Sequence, residues 1–99
     1  MVYQIIFKKR FQNKLQKLFT YIENEFGLLV AQHFATQLDK KFQKLQEQPF
    51  IGTPSTRFQN VRSILAGKYN RVYYRIASNK IVVINIYDTR IRSNKNRLK

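Results

Sequence analysis

Residues 70–90, NRVYYRIASNKIVVINIYDTR, have the pattern of two strands joined by a tight turn. Both halves are dominated by β-branched and aromatic residues, which favour strands. Ser78 and Asn79 lie between the halves, and these residue types favour turns. The stretch therefore predicts a β-hairpin with strands over about Arg71–Ala77 and Lys80–Tyr87.

Alternation along the hairpin assigns its side chains to two faces. The face expected to lie under a core carries Val72, Tyr74 and Ile76. The opposite face carries Arg71, Tyr73 and Arg75, with Val82, Ile84 and Ile86 expected directly across from them. Such an apolar strip with an arginine border suits a partner that has both apolar and acidic groups. The structural alternative is that solvated arginines cover apolar neighbours with their aliphatic stems.

The rest of the chain predicts one strand, two helices and one further strand before the hairpin. The first strand covers Val2–Phe7, and two amphipathic helices follow, separated at Gly27 and ended by Pro49. Residues 49–60 form a connection without regular structure, and Val61–Ala66 is the next strand. The predicted fold is α+β, a single domain of order β-α-α-β-β-β. A helical hairpin packs on one face of a mostly antiparallel four-stranded sheet.

Charge is the strongest feature of the composition. The chain has 99 residues and a net charge of +14, and residues 51–99 hold eleven of its Lys and Arg but one acid. Such a field attracts nucleic acid, ribosomes or acidic protein segments, although basic residues also serve solubility. The absence of cysteine and of any membrane-length apolar run leads us to expect a soluble, cytoplasmic protein. His33 alone and five scattered acids predict neither a metal site nor a cofactor.

Four segments together resemble the RelE/ParE superfamily of toxins from type II toxin-antitoxin systems. They are YIENEFG, PFIGTP, VRSILAGKYNRVYYRI and IVVINIYDTR. The resemblance covers residues 2–92, which implies a toxin domain over 1–92 and a basic tail over 93–99. It also implies growth arrest and an acidic antitoxin that wraps the toxin in a heterotetramer or larger complex.

The superfamily has two mechanisms, and the resemblance carries residues for each. RelE-like members cut ribosome-bound messenger RNA, and the matching catalytic positions here are Arg62, Arg71, Tyr87 and Arg90. Two departures count against cleavage: Ile64 replaces a second lysine, and no tyrosine follows Arg90. The ParE-like branch, which inhibits DNA gyrase, is therefore favoured over RNA cleavage.

Contact with a target or antitoxin is predicted at one set of residues in either mechanism. The set is Arg62, Arg71, Tyr73, Arg75, Val82, Ile84, Ile86, Arg90 and Arg92. Arg62 is expected to share the arginine-bearing face of the hairpin. A third reading is a non-toxic RNA-binding or ribosome-binding module that uses the same arginines for phosphate and Tyr73 for stacking.

Overall fold

The computed structural model describes residues 2–88, in two helices and five strands. The elements are β1 (Gln4–Phe7), α1 (Lys9–Phe26), α2 (Leu28–Glu47), β2 (Thr53–Pro54), β3 (Val61–Leu65), β4 (Asn70–Ala77) and β5 (Lys80–Asp88). The sheet order is β1-β5-β4-β3-β2, with β1 parallel to β5 and the other pairs antiparallel. The predicted α+β fold is confirmed. The count of four strands is wrong, because β2 has two residues and is too short to give a sequence pattern.

The two helices form the predicted hairpin and cover one face of the sheet. Gly27 joins them with a φ of 97°, a backbone conformation that glycine adopts at little steric cost. The residues that the helices bury are Phe11, Leu18 and Ile22 in α1 and Ala31, Phe34, Leu38, Phe42 and Leu45 in α2. Burial of one large apolar side chain contributes roughly 1.5–3 kcal/mol, so these stripes hold the hairpin on the sheet. Neither described helix is long and apolar enough to cross a membrane.

A β-bulge in β5 changes the predicted pairing of the hairpin. Tyr74 pairs with Val83 but Tyr73 pairs with Asn85, so Ile84 has no cross-strand partner. A bulge residue moves every later side chain of its strand to the opposite face from the one that strict alternation gives. The prediction that Tyr73 faces Ile84 is therefore wrong.

Beyond the bulge, β5 presents a different set of side chains to each face. Ile86 pairs with Val72 and is fully buried under the helices, so its predicted place on the arginine-bearing face is wrong. Arg71 pairs with Tyr87 instead. On the other side of the bulge, Arg75 pairs with Val82, as predicted.

The register of β3 also differs from the prediction. Arg62 pairs with Tyr74, which is fully buried, so Arg62 lies on the helix-covered side of the sheet. Its predicted position beside Arg71 is wrong. The turn between the strands sets this register, because the Ala66 N–H donates to the Asn70 carbonyl at 2.8 Å. We call the sheet face that the helices leave uncovered, with Arg71 on it, the open face.

Candidate binding face of the sheet

A cluster of cations, tyrosines and an amide lies on the open face beside the second half of β5. Its members are Lys14, Arg71, Tyr73, Asn85 and Tyr87, which we call the open-face cluster. Four of them are neighbours through strand pairing: Tyr73 opposite Asn85, and Arg71 opposite Tyr87. The bulge produces this arrangement, because without an extra residue Ile84 and Ile86 would stand opposite Tyr73 and Arg71.

Lys14 reaches the cluster because β5 is longer than its neighbour β1. The pairing with β1 ends at Val83, whose carbonyl then accepts the Lys8 N–H at 3.0 Å. Helix α1 begins at the next residue, so its first turns run beside the part of β5 that β1 does not cover. Lys14 projects from these turns toward the open face.

Short contacts join the members of the cluster. The Lys14 Nζ lies 3.4 Å from the Asn85 Oδ1 and 3.9 Å from the centre of the Tyr87 ring. The Asn85 Nδ2 donates to the Tyr87 hydroxyl at 3.1 Å, and the Tyr87 ring meets that of Tyr73 edge to face at 5.6 Å. Burial, followed by repulsion from Arg10, lowers the pKa of Lys14. An anion bound here would relieve that repulsion.

The arginines extend the positive charge along β4. The Arg71 Nη1 donates to the Ser63 Oγ at 2.8 Å, which fixes one end of its guanidinium group. Arg75 is exposed on the same face, and Val82 and Ile84 are half-buried there. The open face thus combines cations with two of the three apolar residues predicted there, Val82 and Ile84.

Arg62 has a different environment, because it anchors the loop after α2. Its Nη1 donates to the carbonyls of Phe50 at 3.1 Å and Gly52 at 2.8 Å. The Tyr74 hydroxyl donates to the Pro49 carbonyl at 2.8 Å and accepts the Gly52 N–H at 3.0 Å. Burial raises the pKa of Tyr74, against the opposing effects of the Gly52 N–H and of Arg62. A Cβ at Gly52 would overlap the Tyr74 hydroxyl, so close packing requires glycine here.

A family model described as the ParE toxin of type II toxin-antitoxin systems, parDE, matches residues 5–92. The chain belongs to this ParE toxin family. It is therefore a toxin of a type II toxin-antitoxin system, in the RelE/ParE superfamily. No curated protein sequence matches it significantly.

Solved structures of related systems share the fold of this ParE-family toxin. A chromosomal ParDE system from P. aeruginosa has a TM-score of 0.75 at 14% identity, covering 88% of this chain and 96% of that one. The RelBE2 toxin-antitoxin complex from Mycobacterium tuberculosis has a TM-score of 0.64 at 20% identity, covering 89% and 99%. A YoeB/ParE toxin from Agrobacterium tumefaciens has 0.62 at 11%, covering 86% and 97%. At these identities the likeness establishes the fold alone.

The structure brings together part of the predicted site of this ParE-family toxin. The open face carries Arg71, Tyr73, Arg75, Val82, Ile84 and Tyr87. Two predicted members, Arg62 and Ile86, lie on the helix-covered side instead. Arg90 and Arg92 lie outside the described residues.

The sequence patterns missed three residues of this face: Lys14, Ser63 and Asn85. Asn85 left a signal, because it is the single polar residue in the apolar run 81–87. An isolated amide in such a run indicates either a bulge or a buried hydrogen bond. Lys14 left none, because its place depends on where β1 ends relative to β5.

A metal site and a charged pocket between the helices are both less well supported than the open face. Within residues 2–88, no three side chains of His, Cys, Asp or Glu come together as metal ligands would. A groove of about 600 Å³ opens between the helices, but its lining is mostly apolar, with Phe7, Phe11, Phe19, Phe34 and Phe42. The open face, by contrast, brings Lys14, Arg71 and two tyrosines together.

Proposed function

We propose that this toxin arrests bacterial growth in the ParE manner, by inhibiting DNA gyrase and so DNA replication in the cytoplasm. The position of Arg62 supports the proposal. RNA cleavage needs a base, an acid and cations around one phosphate. Arg62 bonds to loop carbonyls on the helix-covered side while Arg71 lies on the open face, so these two cations do not converge on one phosphate.

The neutralising partner in this proposal is an acidic antitoxin that lays an amphipathic segment on the open face. The supporting feature is the mixed chemistry of that face. Carboxylates of the segment meet Arg71 and Arg75, and its apolar side chains meet Val82 and Ile84. The toxin and antitoxin form a heterotetramer or a larger complex, as the family resemblance implies.

The first test is the order in which synthesis stops in bacteria that express the toxin without antitoxin. Labelled thymidine and labelled amino acid are pulsed within minutes of induction. Gyrase inhibition predicts that thymidine incorporation falls before amino acid incorporation. An earlier fall in protein synthesis would contradict the proposal and favour RNA cleavage, and no fall in either would exclude both.

A double variant links the activity to the open face. Arg71→Ala with Arg75→Ala is expected to abolish growth arrest while changing the free energy of unfolding by no more than about 1 kcal/mol, because neither arginine lies in the core. The matched control is Lys40→Ala with Lys44→Ala, which removes two exposed cations from α2. Equal loss of activity in both variants would show that total charge matters and position does not.

A further inference from the structure

The open face holds a row of positive charge with an aromatic side chain inside it. Along β4, Arg71, Tyr73 and Arg75 alternate onto this face, and the four residue steps from Arg71 to Arg75 span about 13 Å. Tyr73 is half-buried, and its ring is supported at the edge by Tyr87. Lys14 adds a cation at the Tyr87 end of the row.

Two cations of the row, Lys14 and Arg71, have neutral or positive neighbours among residues 2–88. Lys14 contacts an amide oxygen and a tyrosine ring, and it is repelled by Arg10. Arg71 donates to a serine hydroxyl. The Asp88 carboxylate, which accepts from the Asn70 amide, is buried on the helix-covered side. The row therefore offers positive charge and hydrogen-bond donors to an external anion.

We propose that the open face binds single-stranded nucleic acid, with phosphates at Lys14, Arg71 and Arg75 and a base stacked on Tyr73. This binding goes beyond gyrase inhibition and does not depend on it. The alternation of cation and aromatic residue along an exposed strand is the arrangement by which single strands are held without sequence preference.

The same geometry favours a single strand over two other polyanions. The bases of a duplex are stacked inside it and would leave Tyr73 without a partner. An acidic peptide would use the cations but gains nothing from a stacking ring. Removal of the Tyr73 ring therefore separates these occupants, because nucleic acid binding depends on it and carboxylate binding does not.

The test is fluorescence anisotropy with purified toxin and a labelled DNA strand of about 12 nucleotides, within the usual site size of such surfaces. Tyr73→Ala is expected to weaken binding about tenfold, since one stacked base is lost. Lys14→Ala and Arg71→Ala are each expected to weaken it roughly five- to tenfold near 0.1 M salt. Each should also reduce the slope of log K against log salt by about 0.7, the value of one phosphate contact with a single strand.

Lys17→Ala is the matched control, because it removes one exposed lysine from the same helix as Lys14. It is expected to change the affinity less than about twofold. Lys14→Gln removes the charge of Lys14 but, unlike Lys14→Ala, keeps a long polar side chain. The far-UV circular dichroism of every variant checks that it is folded.

Three results would overturn the inference. The first is an equal loss of affinity in Lys17→Ala and Lys14→Ala, and the second is binding of duplex as tight as that of the single strand. The third is a polyglutamate peptide of equal charge that binds as tightly as the oligonucleotide, with no effect of Tyr73→Ala. Gyrase takes no part in this assay, so its result stands apart from the order in which DNA and protein synthesis stop in cells.

Discussion

At the scale of single residues, the Tyr74 hydroxyl has the most specific structural role. It donates to the Pro49 carbonyl and accepts the Gly52 N–H, so two backbone groups of one loop depend on one oxygen. Tyr74→Phe leaves the ring packed but removes both hydrogen bonds. We expect the free energy of unfolding to fall by about 1–3 kcal/mol, the cost of leaving buried polar groups unsatisfied, as measured by urea unfolding.

Tyr73→Phe is the control for this substitution. Its hydroxyl lies on the half-exposed open face, so removing it should change the free energy of unfolding by less than about 0.5 kcal/mol. Equal effects of the two substitutions would mean that the loop is not held by the Tyr74 hydroxyl. Hydrogen exchange of the Gly52 amide gives a second readout, since its protection should fall in Tyr74→Phe alone.

The residue scale also shows where sequence reasoning about the site succeeds and where it fails. Alternation within β4 correctly places Arg71, Tyr73 and Arg75 on one face, because side chains of one strand alternate whatever the neighbouring strands do. It fails for Arg62, which belongs to another strand. The face of Arg62 depends on the register between β3 and β4, and the turn that joins them sets this register.

At the scale of secondary-structure elements, the long segments are predictable and the irregular ones are not. Two amphipathic helices, the Gly27 break and the hairpin turn at 78–79 all carry local signals, and the structure has each of them. The bulge at Ile84 is marked only by the neighbouring amide of Asn85, which does not say which residue is the extra one, and the two-residue strand β2 carries no signal. Ile84 is as apolar as its neighbours, and an edge strand of two residues is defined by its partner and not by its own pattern.

Deletion of Ile84 tests whether this residue is the extra residue of the bulge. The deletion joins Val83 directly to Asn85, so strict alternation then keeps Asn85 and Tyr87 on the open face and Ile86 in the core. We expect a folded protein whose free energy of unfolding differs from that of the parent by no more than about 1 kcal/mol. Urea unfolding and the dispersion of amide NMR signals measure this.

Deletion of Ile86 is the contrasting variant. It removes a buried side chain and draws Tyr87 toward the core face while turning Asp88 outward, so we expect loss of the folded state. If both deletions unfold the chain, Ile84 is not an extra residue in the strand.

At the scale of the whole molecule, the acids are concentrated in the helical layer. Four of the five acids, Glu23, Glu25, Asp39 and Glu47, lie on the helices, whereas the open face of the sheet carries arginines. The helices also carry seven Lys and Arg, so both layers are positively charged, but among residues 2–88 no acid offsets the arginines of the open face. This positive charge suits both proposed occupants of the open face, an acidic antitoxin segment and a nucleic acid strand, since each would neutralise part of it.

The same excess of charge should make the isolated toxin depend on salt for stability. Like charges repel more in the compact state than in the unfolded chain, and screening shortens the range of that repulsion from about 10 Å at 0.1 M to about 3 Å at 1 M. We expect the free energy of unfolding to rise on the order of 1 kcal/mol over this range, which corresponds to roughly 4–8 °C in Tm for a domain of this size.

The control is the double variant Lys17→Glu with Lys40→Glu. Both lysines are exposed on the helices, and replacing them with glutamate lowers the net positive charge that opposes folding. This variant should be more stable than the parent at low salt and less sensitive to added salt. Parallel salt dependences for the two chains would show that the salt acts through apolar burial, and that self-repulsion of the net positive charge does not limit stability.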